Sequence, residues 1–338
     1  MKQGGLPLID AGKAVVARRR SVACFDESSH DLLWEFPVAR RIPTVNATWA
    51  NMVGVHTHHS RMSVLELQTG RLVRELDWPL FWKPILIGHR LVAYSDNRQE
   101  LFLGDLQTGK PLWVRPLEIT ADTMLLCLYA ASSDAVFLGH RDGTIQALSL
   151  DSGTPLWRGS VAHIASRHPE GPLPGSPSGF SYVFGDLVIY RLWGWIVAVS
   201  ANDGHIVWLQ EMPNAVLDGQ LYGDKYYVSV FGHWYLVLDA ATGSVVLKER
   251  LVLPRKAGQV TTLFPILVSD THVFAGGEAG QVLAFDRETG QFAWFNKVKG
   301  GGVFQRQTYF VSANQRLYCA DMNGQLYCLE QVDGGGQG

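Results

Sequence analysis

Short apolar runs recur along the whole chain, separated by turns rich in glycine and aspartate. One run is Gln281–Asp286 (QVLAFD), and residues 84–89 and 91–96 form two more that are joined by a short polar turn. Short runs that are apolar or alternating and β-prone are typical of strands rather than helices. The first residues follow the same pattern, in 7–10 and 13–18. The pattern therefore predicts an all-β chain of short strands.

One unit repeats within this pattern: an apolar pair, an acidic residue, Thr or Ser, Gly, and a Trp four residues after the Gly. Clear copies are residues 104–113 (GDLQTGKPLW) and 285–294 (FDRETGQFAW). The turn position of the successive copies is occupied by His30, Gly70, Gly109, Gly153, Gly204, Gly243, Gly290 and, in a weaker copy that starts at Ala320, Gly324. Their spacings of 40, 39, 44, 51, 39, 47 and 34 residues suit one repeated supersecondary unit.

The chemistry of the unit is that of a β-hairpin. The Thr-Gly or Asp-Gly pair supplies a turn whose last residue tolerates a positive φ angle. The acidic side chain four residues before the Gly can accept hydrogen bonds from the exposed amides of the turn. The Trp lies on the next strand, where it can wedge between neighbouring units and donate its N–H to one fixed partner.

Two earlier strand patterns precede the hairpin in each unit, as in residues 264–270 and 272–276 of the seventh. Four strands per unit, repeated radially, close into a β-propeller. The sequence thus predicts an eight-bladed β-propeller of four-stranded antiparallel blades, with seven blades as the alternative because the last copy is degenerate. Residues 1–332 form one propeller domain in this interpretation, and residues 333–338 (DGGGQG) form a flexible C-terminal tail.

The recurring acidic residue, Gly and Trp resemble the PQQ-type, or quinoprotein-like, propeller repeat that also occurs in BamB-like outer-membrane assembly factors. The resemblance covers nearly the whole chain. It departs at Arg74, Leu247 and Cys328, where the Trp is missing, and at His30, where the Gly is missing. With four strands assigned to the first and last blades alike, the ring is expected to close by side-chain packing rather than by strand exchange.

Composition narrows the class of protein. The chain has 338 residues, of which 47% are hydrophobic and 18% are charged, with 11 Trp, and this aromatic load excludes a disordered chain. No uninterrupted apolar stretch reaches the length of about 18 residues that a membrane-spanning helix needs. The net charge of −2 argues against a general nucleic-acid binder. We therefore expect neither nucleic acid nor a membrane among the partners.

The N-terminus and the cysteines together predict a compartment. The apolar run of residues 6–9 is too short for a secretory signal and stops at Asp10, and no lipoprotein cysteine follows it. The four cysteines show no paired metal-binding spacing, and all lie in strand-like patterns, as buried reduced thiols do. They are Cys24, Cys127, Cys319 and Cys328. A cytoplasmic protein is the expectation.

A binding surface is predicted where the loops between second and third strands meet the loops between blades, because in a propeller these share one face. Arginine and aromatic residues, the types enriched at binding hot spots, concentrate there. Solvated arginines and aromatics that cap the core are the competing interpretation. The predicted binding-face residues are Arg18, Arg20, Arg40, Arg41, Trp78, Trp82, Arg98, Arg141, Trp193, Trp195 and Trp234.

Two further features of the sequence, a histidine pair and an insert, are candidate functional sites. His56 and His58 alternate on a predicted strand and could hold a metal with a third ligand from another blade, such as His89, His140 or Glu278, although polar loop histidines are the simpler interpretation.

The insert at residues 162–179 lengthens the fourth spacing, and its Pro and Gly content predicts neither helix nor strand. It could be a partner-contacting loop or a surface excursion.

Three functions remain open on this basis. A non-catalytic propeller that binds another protein, as a subunit of a larger bacterial complex or a toxin-neutralising partner, is favoured because no catalytic motif remains. A quinoprotein dehydrogenase is what the resemblance invites, but the adjacent cysteines and calcium site that it implies are missing, so no cofactor is expected. A metal-dependent lyase or hydrolase would use His56 and His58. Whether the chain is an enzyme stays open.

Overall fold

The computed structural model describes most of the chain. The described ranges are residues 8–18, 20–38, 44–57, 61–78, 82–95, 99–117, 125–140, 142–165, 181–192, 194–253, 266–276, 281–297, 310–313, 316–320 and 326–330. They form eight antiparallel sheets, of which seven have four strands and the last has three. We call the seven blades 1 to 7 in chain order and the last one the terminal sheet.

The first four blades follow one another along the N-terminal half. Blade 1 contains β1 (Leu8–Asp10), β2 (Lys13–Ala17), β3 (Ser21–Asp26) and β4 (Leu32–Pro37). Blade 2 contains β5 (Thr44–Trp49), β6 (Met52–Thr57), β7 (Arg61–Glu66) and β8 (Leu72–Leu76). Blade 3 contains β9 (Trp82–Ile87), β10 (Arg90–Ser95), β11 (Glu100–Asp105) and β12 (Lys110–Pro116). Blade 4 contains β13 (Leu125–Ala131), β14 (Ala135–His140), β15 (Thr144–Ser149) and β16 (Pro155–Ser160).

The remaining strands complete the chain. Blade 5 contains β17 (Tyr182–Phe184), β18 (Leu187–Arg191), β19 (Trp195–Ser200) and β20 (Ile206–Glu211). Blade 6 contains β21 (Val216–Tyr222), β22 (Lys225–Val230), β23 (Trp234–Asp239) and β24 (Val245–Arg250). Blade 7 contains β25 (Ile266–Val268), β26 (His272–Gly276), β27 (Gln281–Asp286) and β28 (Phe292–Lys297). The terminal sheet contains β29 (Phe310–Ala313), β30 (Arg316–Ala320) and β31 (Leu326–Glu330).

The sheets are arranged as a propeller around a ring of first strands. In each blade the strands pair in chain order, and β1 contacts β5 on one side and β29 on the other. The second and third strands are buried between blades, whereas the fourth strands lie outside with mostly exposed side chains, as in β24. The predicted all-β propeller of four-stranded antiparallel blades is confirmed. Seven complete blades match the alternative count rather than the eight complete blades expected first.

The last repeat was assigned wrongly from the sequence. Arg316 pairs with Glu330, just as His272, which begins β26, pairs with Asp286, so β31 is a third strand that ends at the turn acid Glu330. The Asp-Met-Asn-Gly of residues 321–324 therefore connects a second strand to a third, and Cys328 corresponds to Cys24 rather than to a missing Trp. The predicted tail, 333–338, lies outside the described residues.

The Trp of the repeat joins one blade to the next, as predicted. The indole of Trp34 donates to the Leu67 carbonyl of blade 2 at 2.9 Å, and Trp157 donates to Ala201 of blade 5 at 2.7 Å. The ring also covers the turn glycine, since a Cβ added to Gly70 would lie 2.5 Å from Trp34. Glycine is therefore required there both for its positive φ of 68° and for the space beneath the indole.

The turn acid also acts as predicted. The Oδ1 atom of Asp286 accepts hydrogen bonds from the amide and the hydroxyl of Thr289, both at 2.8 Å. In blade 1, Asp26 likewise accepts from the amides of Ser28 and Ser29 at 2.9 Å. These bonds, of which that from the Ser28 hydroxyl is the strongest, lower the pKa of Asp26 to about 2. The hairpin is thus closed by an ionised carboxylate.

A buried ion pair links three consecutive blades near the ring centre. Arg191 of blade 5 lies 3.0 Å from an Asp218 carboxylate oxygen of blade 6, with both side chains largely buried. The other Asp218 oxygen accepts from the Ile266 amide of blade 7 at 3.1 Å. Two residues further along β21, Gln220 accepts from the Val268 amide at 2.8 Å. Polar side chains therefore satisfy the inner-edge amides of β25.

The insert begins with a short helix. Residues Ala162–Ala165 form α1, so the expectation of neither helix nor strand is wrong for the first residues of the insert, and residues 166–180 lie outside the described part. No helix in the described ranges is long and apolar enough to cross a bilayer.

Candidate protein-interaction face

One end of the propeller gathers two sets of loops, as the sequence predicted. The residue that follows a fourth strand donates its backbone N–H to the carbonyl of the loop between the second and third strands of the same blade. In blade 1, Val38 donates to Arg20 at 2.7 Å, and in blade 6, Leu251 donates to His233 at 2.8 Å. The same bond joins Leu117 to Gln99, Val161 to Gly143 and Met212 to Gly194. We call this end the loop face.

The two described arginines of this face differ in how accessible their side chains are to a binding partner. Arg18 lies 3.6 Å from Glu35 and over the ring of Phe25 at 5.1 Å, so its charge is partly neutralised and its side chain is held. Arg20 is exposed. The other predicted arginines, Arg40, Arg41, Arg98 and Arg141, lie outside the described residues.

Trp78 is a core residue. Its side chain is only 5% exposed and packs with Met62 and Leu91 between blades 2 and 3. Its ring also meets Phe102 edge-on, with centroids 5.1 Å apart. Trp78 therefore fits the competing interpretation of a core cap and is not available to a partner. Trp82 begins β9, but its side chain, like all of Trp193, lies outside the described part.

Trp195 and Trp234 occupy equivalent positions in neighbouring blades, as the first residues of β19 and β23. Both are half-buried. The Trp195 indole nitrogen is buried without a hydrogen-bond partner among the described residues, so that ring is anchored by packing alone. The Trp234 ring lies under the Lys248 ammonium at 5.4 Å. Two aromatic residues thus occupy equivalent positions of adjacent blades at the loop face.

The sequence-based prediction missed two exposed apolar residues next to Trp234. Phe231 is 47% exposed and Val252 is 82% exposed. The Leu251–His233 hydrogen bond holds their two loops together. The sequence does contain a signal for this site, because Phe231 directly precedes Gly232 in a loop between strands. We call Phe231, Trp234 and Val252 the blade 6 patch.

The structure describes only some of the histidines of the predicted metal site. His140 is buried and lies 2.9 Å from the Gln146 amide nitrogen, whereas His89 sits in a turn between first and second strands, at the opposite end from His56. The side chain of His56, and His58 and Glu278 entirely, lie outside the described residues. Among the described side chains, no three His, Cys, Asp or Glu could hold a metal ion together. The metal site remains a prediction from sequence.

The buried thiol of Cys24 is not an activated nucleophile. Burial raises the pKa of the Cys24 thiol to about 12, so the thiol is protonated at neutral pH and is a poor nucleophile. Burial likewise raises the pKa of the phenols of Tyr190 and Tyr235. These groups are part of the core.

The match to a known family agrees with the blade geometry. The family model described as outer membrane protein assembly factor BamB, of the PQQ type, matches residues 141–302. The repeat is of the PQQ-like type. The PQQ-like propeller is 26% identical over 264 residues to the outer membrane protein assembly factor BamB of Yersinia pestis. It is also 29% identical over 131 residues to the quinohemoprotein alcohol dehydrogenase ADH IIB of Pseudomonas putida.

The matched lengths are partial. The alignments cover 72% of this chain and 62% of the BamB relative, but 33% of this chain and 19% of the dehydrogenase. The PQQ-like propeller thus spans less than two thirds of the length of either curated relative.

Solved structures share the fold around the whole ring. The crystal structure of BamB from Moraxella catarrhalis has a TM-score of 0.69 and 16% identity, with 96% of this chain and 95% of that chain covered. The computationally designed Ika8 protein has a TM-score of 0.73 and 14% identity, with 97% and 96% covered. Sqt1 of Saccharomyces cerevisiae has a TM-score of 0.71 and 12% identity, with 98% and 96% covered. At these identities the likeness shows the fold alone.

Proposed function

We propose that this PQQ-like propeller is a non-catalytic scaffold that binds another protein through its loop face, centred on the blade 6 patch. The observation that carries the proposal is the exposure of Phe231 and Val252 beside the anchored ring of Trp234. Scattered exposed apolar residues are ordinary, but a cluster that includes a preorganised aromatic is typical of a binding hot spot. The relative BamB is by its name an assembly factor.

The patch also suggests the chemistry of the partner. Lys248 lies over Trp234, and Arg250 pairs with Trp234 across the strands, so the apolar centre has a positive rim. Such a surface suits an apolar side chain flanked by carboxylates. We expect binding to weaken as ionic strength rises, because rim charges are screened by salt.

The test compares three forms of the chain as bait in an extract of the native host. Phe231→Asp combined with Val252→Asp places charges in the patch, and Val246→Asp is the matched control, since Val246 is 55% exposed on the outer strand of the same blade. We expect the native chain and the control to capture the same protein and the double variant to recover at least about tenfold less, as loss of a hot spot does.

Equal recovery by all three forms would place the interface elsewhere. The same assay tests the sequence-based prediction that charge reversal at Arg40 and Arg41 weakens binding. The variants at Phe231, Val252 and Val246 should melt close to the native temperature, because these residues are exposed.

The dehydrogenase match favours a second candidate, a PQQ enzyme. Calcium needs six to eight oxygen ligands, whereas the described residues hold no group of three ligating side chains, and the buried Asp218 is already bound by Arg191 and the Ile266 amide. The described residues therefore do not fit a quinone–calcium site. A change in absorbance or melting temperature when the quinone and Ca²⁺ are added would support the enzyme instead.

The cytoplasm is the compartment that we propose. The proposal rests on the sequence, whose four cysteines lie in strand-like apolar runs, and on the burial of Cys24 in the core, as is usual for a reduced thiol. Fractionation of the native host tests this, and recovery of the protein in the envelope fraction would contradict it.

A further inference from the structure

Buried polar groups without a hydrogen-bond partner are concentrated at one junction of the ring, between blades 4 and 5. Among the described residues, five buried side-chain nitrogen or oxygen atoms make no hydrogen bond, and three of them lie in or directly beside the strands of blade 5. They are the hydroxyl of Tyr190, the indole N–H of Trp195 and the hydroxyl of Ser181. Each of these groups loses its hydrogen bonds to water on burial, which destabilises the fold unless another group replaces them.

The three groups lie on the face of blade 5 that is directed at blade 4. Tyr190, which is 0% exposed, and the half-buried Trp195 both belong to the apolar cluster that fills this junction. Tyr182 at the start of β17 pairs with Ile189, so Ser181 lies opposite Tyr190. Residues opposite each other in antiparallel strands have their side chains on the same face. Three hydrogen-bond donors therefore share one face of one sheet.

Blade 4 meets these donors with apolar side chains. The described residues that it contributes to the cluster are Ala135, Phe137, Ile145 and Ala147. The next residue of β14 on the same face is Gly139, because alternate residues of a strand point to the same side. Blade 4 thus supplies neither a polar side chain nor any side chain at that position.

The next junction shows what a side chain at this position does. Arg191 of blade 5 is the equivalent of Gly139, since it pairs with Ile196 of the third strand as Gly139 pairs with Ile145. Its guanidinium crosses to blade 6 and binds the Asp218 carboxylate at 3.0 Å. The junction of blades 4 and 5 lacks this side chain, so space and hydrogen-bond donors coincide there.

The surroundings of Tyr190 favour an uncharged ligand. Burial is the cause that raises the pKa of the Tyr190 phenol, with no charged side chain contributing. At the next junction, Arg191 and Asp218 also act on the pKa of Tyr226. A charged ligand beside Tyr190 would be buried without a described counter-ion, which is costly.

We propose that the junction of blades 4 and 5 binds a small neutral molecule with an apolar body and an oxygen acceptor, such as an aryl ketone. A carbonyl oxygen has two lone pairs, which accept from the Tyr190 hydroxyl and the Trp195 indole, and Ser181 provides a further donor. Phe137 and Ile164 pack against the body of the ligand. A mostly apolar lining with a few placed polar groups is typical of small-molecule sites.

The experiment follows the indole N–H signal of Trp195 by NMR in the full chain, made with ¹⁵N-labelled tryptophan. Loss of one signal in Trp195→Phe identifies it. The probes are acetophenone and α-methylstyrene, which has nearly the same shape but carries a CH₂ group in place of the carbonyl oxygen. We expect acetophenone to shift the signal saturably and α-methylstyrene to bind about tenfold more weakly, because it leaves the donors unpaired.

Two matched variants locate the site. Tyr190→Phe and Tyr226→Phe each remove one buried hydroxyl that has no partner among the described residues, and Tyr226 lies at the junction of blades 5 and 6. Both variants should melt at or above the native temperature, because an unpaired buried hydroxyl destabilises the fold. Only Tyr190→Phe should weaken acetophenone binding, by about tenfold.

The site is independent of the proposed protein interaction, so Phe231→Asp with Val252→Asp should leave acetophenone binding unchanged. The proposal is overturned if neither probe shifts the Trp195 signal, if both probes bind equally, or if Tyr190→Phe binds acetophenone as tightly as the native chain. A lower melting temperature of Tyr190→Phe without any probe would show that the hydroxyl is already satisfied, and would also contradict the site.

Discussion

A tryptophan over a neighbouring glycine is the contact on which the junctions between blades depend. Trp157 donates its N–H to Ala201 and lies over Gly204, whose φ is 75°. The pair was predictable from the sequence, because both residues belong to one short motif. Where the motif lacks Trp, as at Arg74, a long side chain takes its place and donates to the Gln107 carbonyl of the next blade at 3.0 Å.

Substitution of the turn glycine tests this contact. A Cβ at Gly204 would lie 2.6 Å from Trp157, whereas nothing lies within 4 Å of one at Gly185, whose φ is also positive. Gly204→Ala should lower the free energy of unfolding by about 3 kcal/mol, and Gly185→Ala, with backbone strain alone, by about 1 kcal/mol. Urea denaturation measures both. Equal losses would show that the indole does not constrain the turn.

At the scale of elements, several outer hairpins are closed by an ionised carboxylate that binds the amides of its own turn, whereas Ser149 and Ser200 take that position in blades 4 and 5. Bonds from the Thr289 hydroxyl and amide lower the pKa of Asp286, and bonds from Thr242 lower that of Asp239. A lowered pKa in the folded state stabilises the fold above the unfolded value near 4. That contribution is lost as the pH falls through the folded value.

Acid sensitivity follows from these hairpins. We expect the melting temperature to fall as the pH drops from about 5 towards 2. Asp286→Asn should lower the melting temperature at pH 7 and make its decline with falling pH less steep. The reason is that the Asn side chain has the shape of Asp but carries no charge to lose. Asp186→Asn, at an exposed turn between β17 and β18, is the control. An unchanged pH profile in Asp286→Asn would contradict the assignment.

At the scale of the whole molecule, polar contacts that the repeat does not encode join the ring. Arg191 and Asp218 are far apart in the sequence, belong to no motif, and yet link blades 5, 6 and 7. The Tyr318 hydroxyl of the terminal sheet donates to Glu27 of blade 1 at 3.2 Å. Such pairs depend on ring geometry, which a single sequence does not specify.

The buried ion pair gives a prediction about ring stability. Asp218→Ala leaves the Arg191 guanidinium buried without this carboxylate, which should cost about 3–5 kcal/mol of unfolding free energy. Arg191→Met combined with Asp218→Asn removes both charges and should cost less. Urea denaturation of the native chain, of Asp218→Ala and of the double variant measures the order of their unfolding free energies. If Asp218→Ala is as stable as the native chain, the role of the ion pair is contradicted.

The sequence predicted the propeller well and its surface poorly, for physical reasons. Hairpin chemistry is local, so the motif residues identified blade type and turn positions. The last repeat was misassigned because Asp-Met-Asn-Gly at residues 321–324 imitates the hairpin turn, although it links second and third strands. Exposure depends on neighbouring blades, which is why Trp78 proved buried while Phe231 and Val252 proved exposed.

The most direct test of the central claim is hydrogen–deuterium exchange of the chain with and without its captured partner. The account predicts that binding slows exchange in residues 231–234 and 251–253 of the loop face, and leaves the turn at residues 185–186, at the opposite end, unchanged. Protection confined to that opposite end or to the outer strands, with residues 231–234 unaffected, would contradict the account.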